Sequence, residues 1–198
     1  RNLKGTDMTL IRLNNQSLTA VTSAGIPIRS GSVLQVVNSI MTYPSSYVGT
    51  LNTAYTVQSA ANTDWVTSIT INQGNKILVQ LNLNVAKDDN DPNCYYDLLY
   101  DIDGSGSYSN VSVGDVAGNR SRHTGNIRSY TDNYNIEEST CCLLFAPTIS
   151  GATGVVRFKV NITQRAAGNR SFLVNRTEAD SSEGGSVSSS LTAMEIAG

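Results

Sequence analysis

Histidine is nearly missing from this 198-residue chain, which has only His123. Nucleophilic catalysis built on imidazole needs that base held beside a hydroxyl or thiol. His123 stands instead in Arg120-Ser121-Arg122-His123-Thr124-Gly125, a basic, glycine-flanked stretch that reads as a surface loop. Cysteine is also sparse. Cys94, Cys141 and Cys142, with one histidine, lack the paired ligand spacings of a zinc site. Adjacent Cys141 and Cys142 would point to opposite faces of a strand, and a bridge between them would be strained. All three are read as reduced thiols, which suits assembly in a reducing cytoplasm. Charge is scarce too, at 15% of residues with a formal net charge of -2. That leaves no basic excess for phosphate backbones, so nucleic acid is not an expected partner. No apolar run reaches the roughly 18 residues of a membrane span. No glycine-rich phosphate loop and no helical period over a dozen residues can be found. No catalytic residue, cofactor or metal is expected.

Ser, Thr and Asn are abundant, at about a third of the chain. They suit turns and polar strand faces better than helix interiors. Period-two alternation is the main signal. Ile77, Val79, Leu81, Leu83 and Val85 share one face of Lys76–Ala86, and Val156, Phe158, Val160 and Ile162 share one face of Val156–Thr163. Cys94, Tyr96, Leu98, Tyr100 and Ile102 form a third such face. Each marks a strand with one side buried. The expected core therefore holds Ile77, Val79, Leu81, Leu83, Phe158, Val160 and Ile162. Weaker strands are expected over Ser32–Met41, Leu51–Ser59, Trp65–Asn72, Glu138–Ala146, Ser171–Arg176 and Ser188–Ala197. Gln73-Gly74-Asn75, Gly151-Ala152-Thr153-Gly154 and Ala167-Gly168-Asn169 read as hairpin turns. The expected fold is all-β, an antiparallel, jelly-roll-like β-sandwich over residues 30–198, preceded by an extended arm over residues 1–29.

Two acidic clusters invite a calcium reading. Asp101-Ile102-Asp103-Gly104-Ser105-Gly106-Ser107 copies the start of an EF-hand loop, but Ser112 stands where the bidentate glutamate belongs, and a strand precedes it where a helix is required. A glycine-rich hairpin turn fits better. Asp88, Asp89, Asn90 and Asp91 read as a solvated turn. For glycoside hydrolysis Asp97 is the one carboxylate on a strand worth examining, and it lacks an evident partner. Nine tyrosines outnumber the other aromatics, and many of them (Tyr43, Tyr47, Tyr55, Tyr95, Tyr108, Tyr130 and Tyr134) are expected on loops or outward faces. Tyrosine suits contact surfaces, and burial under loops or between subunits is the alternative. Tyr108, Arg120, Arg122, His123, Tyr130 and Tyr134 are the candidate receptor or subunit contacts.

Ser30-Gly31-Ser32-Val33-Leu34-Gln35-Val36-Val37, Gly114-Asp115-Val116-Ala117-Gly118-Asn119-Arg120, and the closing Leu191-Thr192-Ala193-Met194-Glu195-Ile196-Ala197-Gly198 occur in that order. Together with Leu13-Asn14-Asn15-Gln16-Ser17-Leu18 they resemble a family of virion proteins of tailed bacteriophages, marine and cyanobacterial ones especially. The resemblance implies a non-enzymatic tail-fibre, receptor-binding or capsid-decorating role, often as a trimer, and it transfers no catalytic residue. The expected partners are other copies of the chain in a homotrimer, other virion proteins through the arm, and a host-surface glycan. A lectin-like glycan-binding domain is the alternative from another class. The expected location is the virion, assembled in the host cytoplasm.

Overall fold

A computed structural model describes residues 29–87, 94–127, 135–164, 170–178 and 184–198. The arm, the Asp88–Asp91 cluster, the Ala167-Gly168-Asn169 turn, Tyr130 and Tyr134 lie outside these residues. Fourteen strands are formed, and there is no helix among the described residues. They are β1 (Val33–Met41), β2 (Ser45–Gly49), β3 (Ala54–Thr56), β4 (Gln58–Ala60), β5 (Thr63–Asp64), β6 (Val66–Asn72) and β7 (Lys76–Lys87). There follow β8 (Cys94–Ile102), β9 (Ser109–Asn110), β10 (Gly125–Ile127), β11 (Glu137–Phe145), β12 (Thr153–Gln164), β13 (Arg170–Val174) and β14 (Ser189–Ile196). Every pairing is antiparallel.

The two main sheets have six strands each, but each is only four strands wide. In the first, β11 lies on one side of β7, and β13 and β14 share the other side end to end. β2 then lies along β13, and β1 along β14. In the second sheet β8 and β12 are central. β10 and β9 share the outer edge of β8, and β3 and β6 share the outer edge of β12. The small β4–β5 hairpin is an excursion between β3 and β6.

Alternation explains the layering. β7 turns Ile77, Val79, Leu81, Leu83 and Val85 inward, and β12 turns Val156, Phe158, Val160 and Ile162 inward. All of them join one buried cluster with Ile69, Ile71, Leu98, Phe172 and Leu191. The chain is thus an all-β sandwich with its core between two antiparallel sheets.

The hairpin expectation at Gln73-Gly74-Asn75 is corrected. Gly74 has φ 85°, and Asn75 N donates to Asn72 O at 3.2 Å, so the chain does reverse there. However, β6 pairs in one sheet and β7 in the other. The turn at Gly151–Gly154 likewise joins β11 of the first sheet to β12 of the second. Turn chemistry fixes the reversal, whereas the partner is set by core burial. Crossing between sheets lets the apolar faces of successive runs meet across the core.

Three other expectations change. Leu51–Ser59 is not one strand, because a turn with Asn52 at φ 64° precedes β3 and an excursion follows it. Tyr47 and Tyr55 are not surface rings. Tyr47 stacks on Phe172 at 4.9 Å, and Tyr55 meets Phe172 edge-on at 5.8 Å. Asp101 is 1% exposed rather than solvated, and it accepts hydrogen bonds from Ser105 Oγ at 2.5 Å and Gly106 N at 3.4 Å. Asp103 Oδ1 accepts from Val155 N at 2.8 Å. Both carboxylates are therefore engaged in the turn that leads β8 into β9, its antiparallel neighbour.

Candidate functional site

The outer edge of β8 is shared by β9 and β10, and residues 111–124 bulge out between them. Several hydrogen bonds close the base of this loop. Val111 N donates to Leu98 O at 2.9 Å. Thr124 Oγ1 accepts from Leu98 N at 3.1 Å and donates to Ser112 O at 2.8 Å. Higher up, Gly114 N donates to His123 O at 3.3 Å, and a turn from Ala117 to Arg120 with Gly118 at φ 62° forms the tip. Gly125 sets the return into β10. A Cβ there would lie 2.4 Å from the Tyr96 ring, so only glycine lets the strand approach so closely.

His123 is not a freely solvated loop residue. Its side chain is 11% exposed, and Nδ1 lies 3.0 Å from Asp97 Oδ2. An ionised carboxylate can only accept, which places a proton on Nδ1. The other oxygen of Asp97 accepts from Thr124 N at 3.2 Å. The imidazole stacks on Tyr95, with ring centroids 4.6 Å apart and planes 15° apart. Its Nε2 is buried and has no hydrogen-bond partner among the described residues. Among the described residues the Asp–His pair therefore has no hydroxyl or thiol bonded at Nε2.

Beside the pair is a cavity of about 270 Å³ lined by Tyr95, Asp115, Arg120, Ser121, Arg122 and His123, among others. Arg122 Nε donates to Gly114 O at 2.6 Å, and Arg120 Nη1 donates to Ala117 O at 3.2 Å. Neither guanidinium is ion-paired among the described residues. Three expected contact residues, Arg120, Arg122 and His123, are thus brought together. Tyr108 is not part of this cavity, since its ring lies under Lys159 Nζ at 4.1 Å. Lys159 in turn reaches Asp64 at 3.9 Å. Asp97, the strand carboxylate singled out from the sequence without an evident partner, finds one in His123, and Tyr95, expected on a loop or outward face, stacks on the same ring. Asp97 is 26 residues from its partner, and the only available signal was its outward position on β8.

A second hollow of about 360 Å³ lies on the outer face of the first sheet, over Gln80, Asn82, Thr140, Cys142, Ser190 and Thr192. It is floored by uncharged polar side chains, several of them already bonded, such as Asn82 to Glu138 at 2.8 Å. Next to it an apolar row crosses the sheet through the paired residues Leu144, Leu78, Met194 and Val36. Leu144 and Val36 at its ends are both 57% exposed. Cys142 opens on this face and Cys141 packs against the core, neither in a disulfide, and the buried Cys94 Sγ donates to Gln164 Oε1 at 3.2 Å. None of the helices needed to cross a membrane is present among the described residues. No protein-family model matches the chain, and no curated protein matches it.

Proposed function

We propose that the chain is a non-enzymatic structural protein of a tailed-bacteriophage virion, a tail-fibre or receptor-binding protein that meets its ligand with the 111–124 loop. The observation that carries binding over catalysis is the cavity itself. Two guanidinium groups that form no ion pair among the described residues line it, outnumbering the one carboxylate of Asp115, while the neighbouring imidazole is tied to Asp97 and stacked on Tyr95. Such a site can hold a ligand through fixed charges, and among the described residues no hydroxyl or thiol is bonded to the imidazole for activation.

The virion assignment rests on the sequence resemblance, and one structural feature supports it. The opening and closing motifs of the resemblance are neighbours, with β1 paired to β14 from Val33↔Ile196 to Met41↔Ser189. The jelly-roll reading is supported by the order of the runs. Taking interrupted strands as single runs, successive runs alternate between the sheets except β8 and β9/β10, which pair within the second sheet, and the first and last runs are adjacent. A homotrimer is supported by the exposed apolar row across the first sheet, a surface suited to another subunit. The arm of residues 1–29 is proposed to tie the protein to other virion proteins. Adsorption competition tests the reading. Purified full-length chain, mixed with host cells before infection, is expected to slow adsorption of the parent particle. Unchanged adsorption at saturating protein would overturn a receptor-binding role and favour capsid decoration, the alternative.

A further inference from the structure

We infer that the cavity beneath the 111–124 loop takes a carboxylate-bearing sugar, a uronic or sialic acid residue of a glycan. This rests on the receptor-binding reading above and specifies its ligand class.

Charge comes first. Arg120 and Arg122 supply two positive charges to the lining and Asp115 one negative, leaving about one uncompensated positive charge. A monoanion matches that balance, whereas a doubly charged phosphate would be repelled by Asp115. The shape of the donors agrees. Arg122 is held through Nε by Gly114 O, and its two terminal nitrogens have no partner among the described residues. A guanidinium anchored in this way presents a planar pair of N–H donors, which a carboxylate accepts in parallel.

The remaining lining fits hydroxyls. Asp115 accepts from sugar hydroxyls, and Ser121 and Asn126 both donate and accept. The volume is slightly below the roughly 300–1,000 Å³ of sites for drug-sized ligands, so it suits one sugar ring rather than a longer chain. His123 acts here as a positioning residue. Fixed by Asp97 and Tyr95, it holds the loop segment that carries both arginines and limits the ordering cost of binding.

The test is titration of the full-length protein, followed by NMR, with galacturonic acid, N-acetylneuraminic acid, galactose and inorganic sulfate. At least one sugar acid is expected to bind at least tenfold more tightly than galactose, and sulfate is expected to compete poorly. Arg122→Gln is expected to weaken the sugar acid at least tenfold while the melting temperature stays within a few degrees. Arg122→Lys, which keeps the charge but not the planar donor pair, is expected to restore only part of the affinity. Equal binding of galactose, equal competition by sulfate (an anion site without sugar recognition), or an unaffected Arg122→Gln would each overturn the inference. Adsorption to cells, measured on the same preparations, separates the two claims. If the chain and Arg122→Gln both block adsorption while no sugar acid binds, this inference fails and the receptor-binding reading stands.

Discussion

Glu195 turns its carboxylate into the sandwich, where it is 4% exposed. Three donors meet it there: Asn72 N at 2.8 Å, Asn72 Nδ2 at 3.2 Å and Asn75 Nδ2 at 2.7 Å. The carboxylate thereby fastens the last strand to the turn that carries the chain from one sheet to the other. Glu195→Leu would leave a part-buried backbone N–H without its acceptor, which costs about 1 kcal/mol. A loss of that size is expected in urea unfolding, and unchanged stability would show that Asn72 finds another acceptor. Weakly acidic side chains packed in or against the core set an alkaline limit, Tyr96 and Cys141 among them. Burial, and Cys141 beside it, push the Tyr96 phenol above its ordinary 10.0, and burial pushes the Cys141 thiol above its ordinary 9.0. Above these ordinary values the unfolded chain releases protons that the folded chain retains, so stability falls as pH rises, by up to about 1.4 kcal/mol per pH unit for each group. The decline is expected to begin near pH 9.0 and steepen beyond pH 10.0, where burial also raises the phenols of Tyr47 and Tyr108, and Tyr96→Phe is expected to lessen the steeper part. Urea midpoints across that range, for both proteins, check it.

At the scale of elements, the breaks in the strands carry the design. β1 stops at Met41 and β2 resumes at Ser45, beside the point where β13 stops and β14 begins. Asn175, fully buried at φ 62°, joins the interruptions. Its Nδ2 donates to Met41 O at 2.8 Å, its Oδ1 accepts from Ser189 Oγ at 2.7 Å, and its N donates to Asn84 O at 3.0 Å. Asn175→Ala loses both side-chain bonds and keeps the left-handed backbone, so a loss of about 3 kcal/mol is expected. Asn175→Gly relieves the backbone alone and is expected to be milder. If glycine proved as damaging as alanine, backbone strain would play no part here.

The long runs were legible because each buries one face along its whole length: Ile77 to Val85 in β7 and Val156 to Ile162 in β12 alternate without a break. β2, β9 and β10 were not legible. They have five, two and three residues, too few for a period, and they exist because β13 and β8 offer free edges. Arg120, Arg122 and His123 were readable as a basic cluster in one loop. Asp97 and Tyr95 were not, because their role depends on the loop folding back over β8, and a distant contact of that kind leaves no local pattern.

For the whole molecule, the edges and faces determine what it can join. Three of the four sheet edges, β1/β2, β3/β6 and β9/β10, are interrupted, which limits edge-to-edge pairing. β11 is the continuous edge, and it opens with Glu137 and Glu138. Self-association is therefore expected through a face rather than an edge, and the row of Leu144, Leu78, Met194 and Val36 is that face. Val36→Asp together with Leu144→Asp is expected to shift the full-length chain from trimer to monomer in sedimentation, with the fold intact by circular dichroism. A wild-type chain that sediments as a monomer at micromolar concentration would remove the trimer from the account. Gold-labelled antibody against the purified chain, applied to intact particles and imaged by electron microscopy, shows whether this protein is, as proposed, an exposed part of a virus particle. Label at the distal end of the tail is the expected result, and particles that carry no label, with no trace of the chain in their protein content, would contradict it.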